Sequence, residues 1–449
     1  MNIPLREVAA VLGHACGSDA VVTGWSVDSR TLQPGDLFFA LRGPHHDGHQ
    51  YATRVMSCGA AAAVVEQPIP GGGPFFQVPG TLQALQQLAS WARQRWGGDV
   101  TGLTGSAGKT TTKETIAALL SVALPVGKTV GNFNNHVGVP LSILRLPDHA
   151  RAAVLELGMN HAGEIRELAQ IARPRIGVVT NVGYAHVENF AEGIEGIAAA
   201  KRELIESLPA GGIAVLNADD PRVAAMAAGH PGTVITYGIA QPADVRATGV
   251  QYSRDGVRFQ VDGVAFHSPV LGRHSVLNIL AALAVAQLYG LALHQLTAAV
   301  AQLAPPPMRG QLVDWQGLTL LDDCYNSNPD AARAMLDTLG DLPAARRIAV
   351  LGEMRELGPG SERLHREVGA YAAQAALDLI IGVRGDAAAL VDEARRYGAR
   401  TEFFATPEEA GDFLAAGARP GDLILFKGSR GTQVERALQR LQHRSGGGA

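Results

Sequence analysis

The chain has 449 residues, 47% hydrophobic and 18% charged, enough apolar material for several cores, and three domains is the expected division. A formal net charge of −4, with 38 Lys and Arg residues scattered along the chain, leaves no basic footprint for nucleic acid or an anionic membrane. Cys16, Cys58 and Cys324 show no CxxC or metal-like spacing, no secretory core opens the chain, and no apolar run reaches spanning length. The expectation is a soluble cytoplasmic protein without membrane insertion.

Residues 1–97 read as a mixed α/β domain. Gly/Pro clusters from Pro68 to Pro79 precede a short helix that ends at Gly97-Gly98. Residues 98–308 alternate apolar runs with helical stretches: a strand ending at Thr101-Gly102-Leu103, a helix from Lys109, then strands 152–157, 176–181 and 213–217. Such alternation predicts a parallel sheet with crossover helices. Within 249–270, Asp255-Gly256 and Asp262-Gly263 punctuate short alternating runs and predict β-hairpins. The run Ala304-Pro305-Pro306-Pro307 marks a linker. From 309 to 449 the α/β alternation recurs, with strands near 318–321, 348–351, 379–383 and 423–426, and predicts a smaller doubly wound unit.

The segment Thr104-Gly105-Ser106-Ala107-Gly108-Lys109-Thr110-Thr111 joins an apolar strand to a helix. Backbone N–H groups and the helix N-terminus would converge there on phosphate, with Lys109 neutralising charge and the Thr110 hydroxyl facing Mg²⁺. Its spacing departs from GxxxxGK[ST], since Leu103 stands five before Gly108, so an ordinary Gly-rich turn is the competing reading. Glu156 interrupts an apolar run at the carboxyl end of its strand, where ligands of open parallel sheets bind, and suits a metal carboxylate. His186, just past the strand 176–181, is a further metal candidate. Lys201 falls on the apolar face formed by Ile194, Ile197, Ala198, Leu204, Ile205 and Leu208, while Arg202, Glu203 and Glu206 take the other side. Burial would lower its pKa, and a functional lysine and a snorkelling one fit the pattern equally. Asn132, Asn134 and Asn135 cluster in a loop, and functional and structural readings balance.

Taken together these residues resemble the Mur ligase family of ATP-dependent amide ligases. The resemblance rests on Asp28-Ser29-Arg30 with Pro34-Gly35-Asp36, Gly105 to Lys113, Asn134-Asn135 with Gly138-Val139-Pro140, and the Glu156, His186 and Lys201 segments. Asn278, Arg309-Gly310 and Lys427-Gly428-Ser429-Arg430 extend it along nearly the whole chain. Asp322-Asp323-Cys324-Tyr325-Asn326-Ser327-Asn328-Pro329 and Leu351 to Gly358 look like the family member that adds D-Ala-D-Ala to UDP-N-acetylmuramoyl-tripeptide. The Asp-Asn-Pro-Arg signature of the diaminopimelate-adding member is absent.

The resemblance implies three domains: an N-terminal one for the uridine nucleotide, a central parallel-sheet ATPase, and a Rossmann-like C-terminal one for the incoming dipeptide. It implies that ATP phosphorylates a carboxylate that the dipeptide amine then attacks. Gly105, Ser106, Gly108, Lys109, Thr110, Thr111, Asn278, Arg309 and Asp323 would bind ATP. Thr110, Glu156, His186 and a carbamylated Lys201 would hold two Mg²⁺ ions, while Lys109, Glu156, His186, Lys201 and Arg309 would be catalytic. Ser29 and Arg30 would bind the nucleotide substrate, Asn134 and Asn135 would also face substrate, and Tyr325, Asn326 and Asn328 would lie near the dipeptide. A monomer is expected. Two positions depart from the pattern, with Ser275 in place of Asn and Glu353 in place of Asp. A folylpolyglutamate-synthase-like ligase and a non-ligating nucleotide-binding protein are the alternatives.

Overall fold

The alternating segments of the middle of the chain build one parallel sheet, because a parallel neighbour can be reached only by a crossover over a face. The structure is a computed structural model and describes residues 1–71 and 73–445. Gly72, in the Gly/Pro cluster, and 446–449, the tail of the expected C-terminal domain, lie outside the described residues. The seven strands run Val245–Arg246, Thr233–Gly238, Ile213–Asn217, Ile176–Val179, Asp99–Thr104, Ala152–Glu156 and Val126–Lys128 across the sheet, every pair parallel. The four inner strands are those the apolar runs predict. The remaining three lie at or toward the edges, where partial exposure removes the continuous apolar run that betrays a buried strand.

Side-chain alternation along these strands divides the core in two. Leu103, Val154, Val178 and Val215 pack on one face with the helices Lys109–Leu120 and Arg273–Leu288. Ala153, Leu155, Val179, Ala214 and Leu216 pack on the other, with Glu164–Ala172 and Ile194–Glu206. The helix Arg273–Leu288 is buried on nearly every side, which fits its unbroken apolar composition. The predicted hairpins form the antiparallel strands Thr248–Ser253, Gly256–Val261 and Val264–Ser268, with Asp262 and Gly263 at positive φ in the second turn.

The N-terminal unit is a four-stranded parallel sheet, Gly24–Ser26, Asp36–Phe39, Ala62–Val65 and Phe75–Gln77, beside a two-stranded antiparallel pair. Its helix Thr81–Trp96 ends with Gly97 in the left-handed region at φ 70°, as the Gly-Gly pair predicts. Leu37, Phe39, Leu85 and Leu88 share one apolar cluster with the central sheet. Arg93 reinforces that junction by donating to the carbonyls of Ala172 at 2.7 Å and Arg173 at 3.2 Å, which the helix end leaves unpaired.

Residues 311–427 form a six-stranded sheet in the order Gln311–Trp315, Leu318–Asp323, Asp422–Lys427, Arg346–Gly352, Leu379–Val383 and Thr401–Phe404. The four predicted strands are present and parallel, and the first strand adds an antiparallel edge that the pattern does not announce. Leu321, Ala349, Leu351, Ile380 and Leu425 face the helices Pro329–Asp341, Ser361–Gln374 and Ala387–Arg396. Leu320, Val350, Ile381, Ile424 and Phe426 face Pro407–Gly417 and Glu435–Ser445. Both faces are covered, as in a doubly wound unit.

Leu283 lies at 0% exposure in the helix that packs on the central sheet beside Lys109–Leu120. Leu283→Ala is expected to cost about 2–5 kcal/mol, read as a lower urea midpoint with an unchanged slope.

Candidate active site

The carboxyl ends of the central strands open into a cleft of about 580 Å³ whose opposite wall comes from the C-terminal unit. Every residue expected to contact ATP, metal or dipeptide lines it, as do Asn132, Asn134 and Asn135. Ser29 and Arg30 do not: they sit in an exposed turn of the N-terminal unit, where Arg30 pairs with Asp28 at 2.6 Å.

The loop after strand Asp99–Thr104 is shaped by two glycines. Gly105 has φ 153°, and a Cβ there would lie 1.8 Å from Thr180 Oγ1. Gly108 has φ 79°, and a Cβ there would lie 2.8 Å from Asn278 Oδ1. Asn181 clamps the loop, its Oδ1 accepting from Ala107 N at 2.8 Å and its carbonyl from Ser106 N at 3.0 Å. Ser106 Oγ and the Gly183 backbone are hydrogen-bonded reciprocally. Gly108 caps Lys109–Leu120 without a side-chain acceptor, so the first-turn N–H groups are left for an external anion. The geometry is therefore that of an anion-binding turn despite the unusual spacing.

Lys109 Nζ folds back to donate to Gly105 O at 2.8 Å, and burial lowers its pKa against the opposing pull of Glu156. Glu156 is not a solvent-facing strand end. It is 2% exposed and accepts from Thr110 Oγ1 at 3.0 Å and Asn134 Nδ2 at 2.8 Å. Arg309 reaches across the cleft to donate to Thr110 Oγ1 at 3.3 Å, its guanidinium 3.9 Å from the centre of the Tyr325 ring. The same residue thus touches both walls.

Lys201 projects from Ile194–Glu206 into the cleft at 2% exposure, and among the described residues it has no hydrogen bond or ion pair. Burial, and then the charge of Lys109, push its pKa well below the ordinary lysine value. Its burial at 2% exposure counts against the snorkelling reading, in which the ammonium would reach water. His186 lies in a turn with φ 64°, its buried Nδ1 2.6 Å from a Glu356 oxygen but without the alignment of a full hydrogen bond. The contact with His186 holds the Glu356 carboxyl below its usual range.

Several amides expected to meet substrate have local work. Asn135 Oδ1 accepts from Gly138 N at 2.8 Å at the start of Gly138–Leu144, and Asn328 Oδ1 caps Pro329–Asp341 through Ala331 N at 2.9 Å. Asn326 Oδ1 accepts from Ser327 N at 2.9 Å. Asn278 Oδ1 accepts from Thr112 Oγ1 at 3.0 Å, and Asp323 pairs with buried Lys427. Ser275 is buried at the cleft wall. The Glu353 carboxylate instead faces Arg355 and the Gly385-Asp386 turn.

Sequence reasoning assigned no role to Asn181, His274 or Asp330, and quoted Lys427 for the resemblance without giving it one. His274 is half-buried, its Nδ1 atom is buried and unpartnered among the described residues, and desolvation lowers its pKa. Its signal was its place beside Ser275, one turn before Asn278. Asp330 accepts from Tyr184 N at 3.1 Å across the two units, a contact with no local sequence signature.

Among the described residues no three His, Cys, Asp or Glu side chains group as a metal site. The fit of a divalent cation therefore turns on oxygen donors. Glu156 and the Thr110 hydroxyl supply them beside a phosphate-shaped loop, the set that Mg²⁺ prefers when substrate phosphates complete its shell. No helix among the described residues is long and apolar enough to cross a membrane.

The chain matches the Mur ligase middle domain over residues 103–286, the Mur ligase glutamate ligase domain over 308–430, and the Mur ligase family catalytic domain over 21–90. It is 38% identical over 429 residues to UDP-N-acetylmuramoyl-tripeptide–D-alanyl-D-alanine ligase of Synechocystis sp. (strain ATCC 27184 / PCC 6803 / Kazusa), covering 94% of this chain and 92% of that protein. The crystal structure of MurF from Acinetobacter baumannii is similar with a TM-score of 0.91 at 30% identity over 99% of each chain. MurF ligase from Thermotoga maritima in complex with ADP is similar with a TM-score of 0.85 at 29% identity, over 94% of this chain and 98% of that one. On sequence and fold, the chain belongs to the Mur ligase family.

Proposed function

We propose that this chain is a cytoplasmic ATP-dependent ligase that joins D-alanyl-D-alanine to UDP-N-acetylmuramoyl-tripeptide through an acyl phosphate, completing the pentapeptide precursor of peptidoglycan. The observation that carries this reading is the meeting, in one cleft, of the Gly105–Thr110 loop with Glu156, His186 and buried Lys201, under a wall that brings Arg309 and Tyr325. The domain limits we adopt are 1–97 for the uridine nucleotide, with Ser29 and Arg30 as its contacts, 98–308 for ATP and 309–449 for the dipeptide.

In this reading the γ-phosphate rests on the N–H groups that precede Lys109, and Lys109 exchanges its Gly105 carbonyl for a phosphate oxygen. Arg309, held over the Tyr325 ring, supplies a second positive charge from the opposite wall. These fixed charges offset the repulsion as phosphate approaches carboxylate, and they act strongly because the cleft limits water. Thr110, Glu156, His186 and a modified Lys201 would hold two Mg²⁺ ions, which would add charge neutralisation at the phosphates.

The state of Lys201 decides whether that donor set is adequate. An amine buried without a partner and driven toward the neutral form is poised to attack CO₂. A bond forms from Nζ to the carbon, one proton leaves to solvent, and a carbamate with two oxygens replaces the cation beside Lys109. The modification resolves a like-charge conflict and supplies a metal ligand together.

Phosphate release from ATP and the tripeptide nucleotide should require D-Ala-D-Ala. Release with a free amino acid or glutamate in its place, or ATP binding without release, would sink the assignment. Lys201→Ala should lower the rate by about 10²–10³-fold, with partial recovery in millimolar short carboxylates. ¹³C-bicarbonate should give a carbamate carbon resonance in the native chain that is lost in Lys201→Met.

The unmodified lysine makes a prediction about pH. Its folded-state pKa lies below the 10.5 of the unfolded chain, so between those values the unfolded state binds more protons and stability rises with pH. In CO₂-free buffer Lys201→Met should be more stable than the native chain at pH 7. The charge-linked part of that advantage should be lost above pH 10.5, leaving a pH-independent remainder, measured by urea unfolding across the range.

A further inference from the structure

The turn that carries His186 belongs to the central unit but is held by the C-terminal one. On one side, Asp330 at the start of Pro329–Asp341 accepts from Tyr184 N at 3.1 Å. On the other, Glu188 N donates to Glu356 O at 3.4 Å, and Gly358 packs so closely that a Cβ would lie 2.9 Å from that of Glu188. Tyr184 and Val187 pack against the apolar cluster of the C-terminal sheet. The imidazole itself meets the Glu356 carboxylate at Nδ1, 2.6 Å away though short of the alignment of a full hydrogen bond. Both partners of that contact are non-glycine residues in the left-handed region, each at φ 64°. Two such conformations cost free energy and persist only where the surroundings impose them, so their meeting across a domain boundary marks a constraint.

We propose that Glu356 is a positioning residue: the C-terminal unit, by closing, brings its carboxylate to His186 Nδ1 and thereby sets the ring so that Nε2 is the nitrogen left for the cleft. The inference rests on the reading of His186 as a metal ligand, since a ligating imidazole is oriented by what its other nitrogen meets. It adds that the orienting group is contributed by the domain assigned to the incoming dipeptide. An open chain would then have His186 unset, and the site would become complete only with the acceptor-bearing wall in place. Premature transfer of phosphate to water would be disfavoured by the same device.

The test uses the full chain labelled with ¹⁵N in the histidine rings, without metal or substrate, and His186 assigned by its loss in His186→Gln. The expected result is an Nδ1-protonated tautomer in the native chain that gives way to an averaged signal in Glu356→Ala, with Glu356→Gln, whose amide oxygen can still accept, retaining most of the native signal. In phosphate-release assays Glu356→Ala should raise the Mg²⁺ concentration for half-maximal rate about 10–100-fold, with the KM for the tripeptide nucleotide changed less than threefold. If Glu356→Ala does not fold, Glu356→Asp, which withdraws the carboxylate by one methylene, should show the same direction in both readouts. Unchanged ring shifts and unchanged Mg²⁺ dependence in the folded variants would overturn the proposal. A ring-nitrogen shift in a chain that releases no phosphate with D-Ala-D-Ala would overturn the ligase reading and leave this one standing.

Discussion

Two lysines, Lys109 and the buried Lys201, line one cleft, and the crowding of like charge there is the constraint around which the site is arranged. Lys109 and Lys201 are both driven toward the neutral amine by burial, and Lys201 feels Lys109 as well. Glu156 is buried near them, and its two oxygens already receive Thr110 and Asn134. A cleft with that balance of charge would be stabilised by incoming anions, and the phosphate and the Lys201 carbamate proposed above are two such anions.

The fold supplies the burial. Parallel strands deliver their carboxyl ends to one edge, so Thr104, Glu156 and the turn after Val179 arrive together from separate stretches of chain. The helix Arg273–Leu288 closes the back of the loop through Asn278, whose carbonyl stands where a Cβ at position 108 would go. Packing thus dictates glycine at that position independently of any phosphate, and a loop rigid enough to exclude a methyl group is rigid enough to hold its N–H groups in place for a ligand.

The C-terminal unit has two tasks at this edge. Arg309 and Tyr325 place a stacked guanidinium beside Thr110, while Asp330 and Glu356 take hold of the turn around His186. Neither contact would survive a rotation of the unit away from the sheet. In the proposed reading, closure would therefore act on the site through short-range polar contacts, which are lost over a few ångströms, more than through the apolar interface, which tolerates sliding.

The α/β alternation, the hairpins at Asp255-Gly256 and Asp262-Gly263, and the central strands were legible in the residues because period and turn chemistry are local properties. So was the position of Lys201 on an apolar helix face, which local spacing alone determines. The short edge strands were not legible, since partial exposure blurs their pattern. Nor were the capping duties of Asn135 and Asn328, the clamp by Asn181, or the contacts from Asp330 and Glu356 to the His186 turn, each of which joins groups whose meeting depends on the packed arrangement. Sequence by itself determined which residue types were present to bind phosphate and metal. Tertiary structure alone decided that Lys201 lacks a partner among the described residues, that Glu156 is shared by Thr110 and Asn134, and that the C-terminal unit holds the His186 turn, because burial and distance between remote segments arise only when the chain is packed.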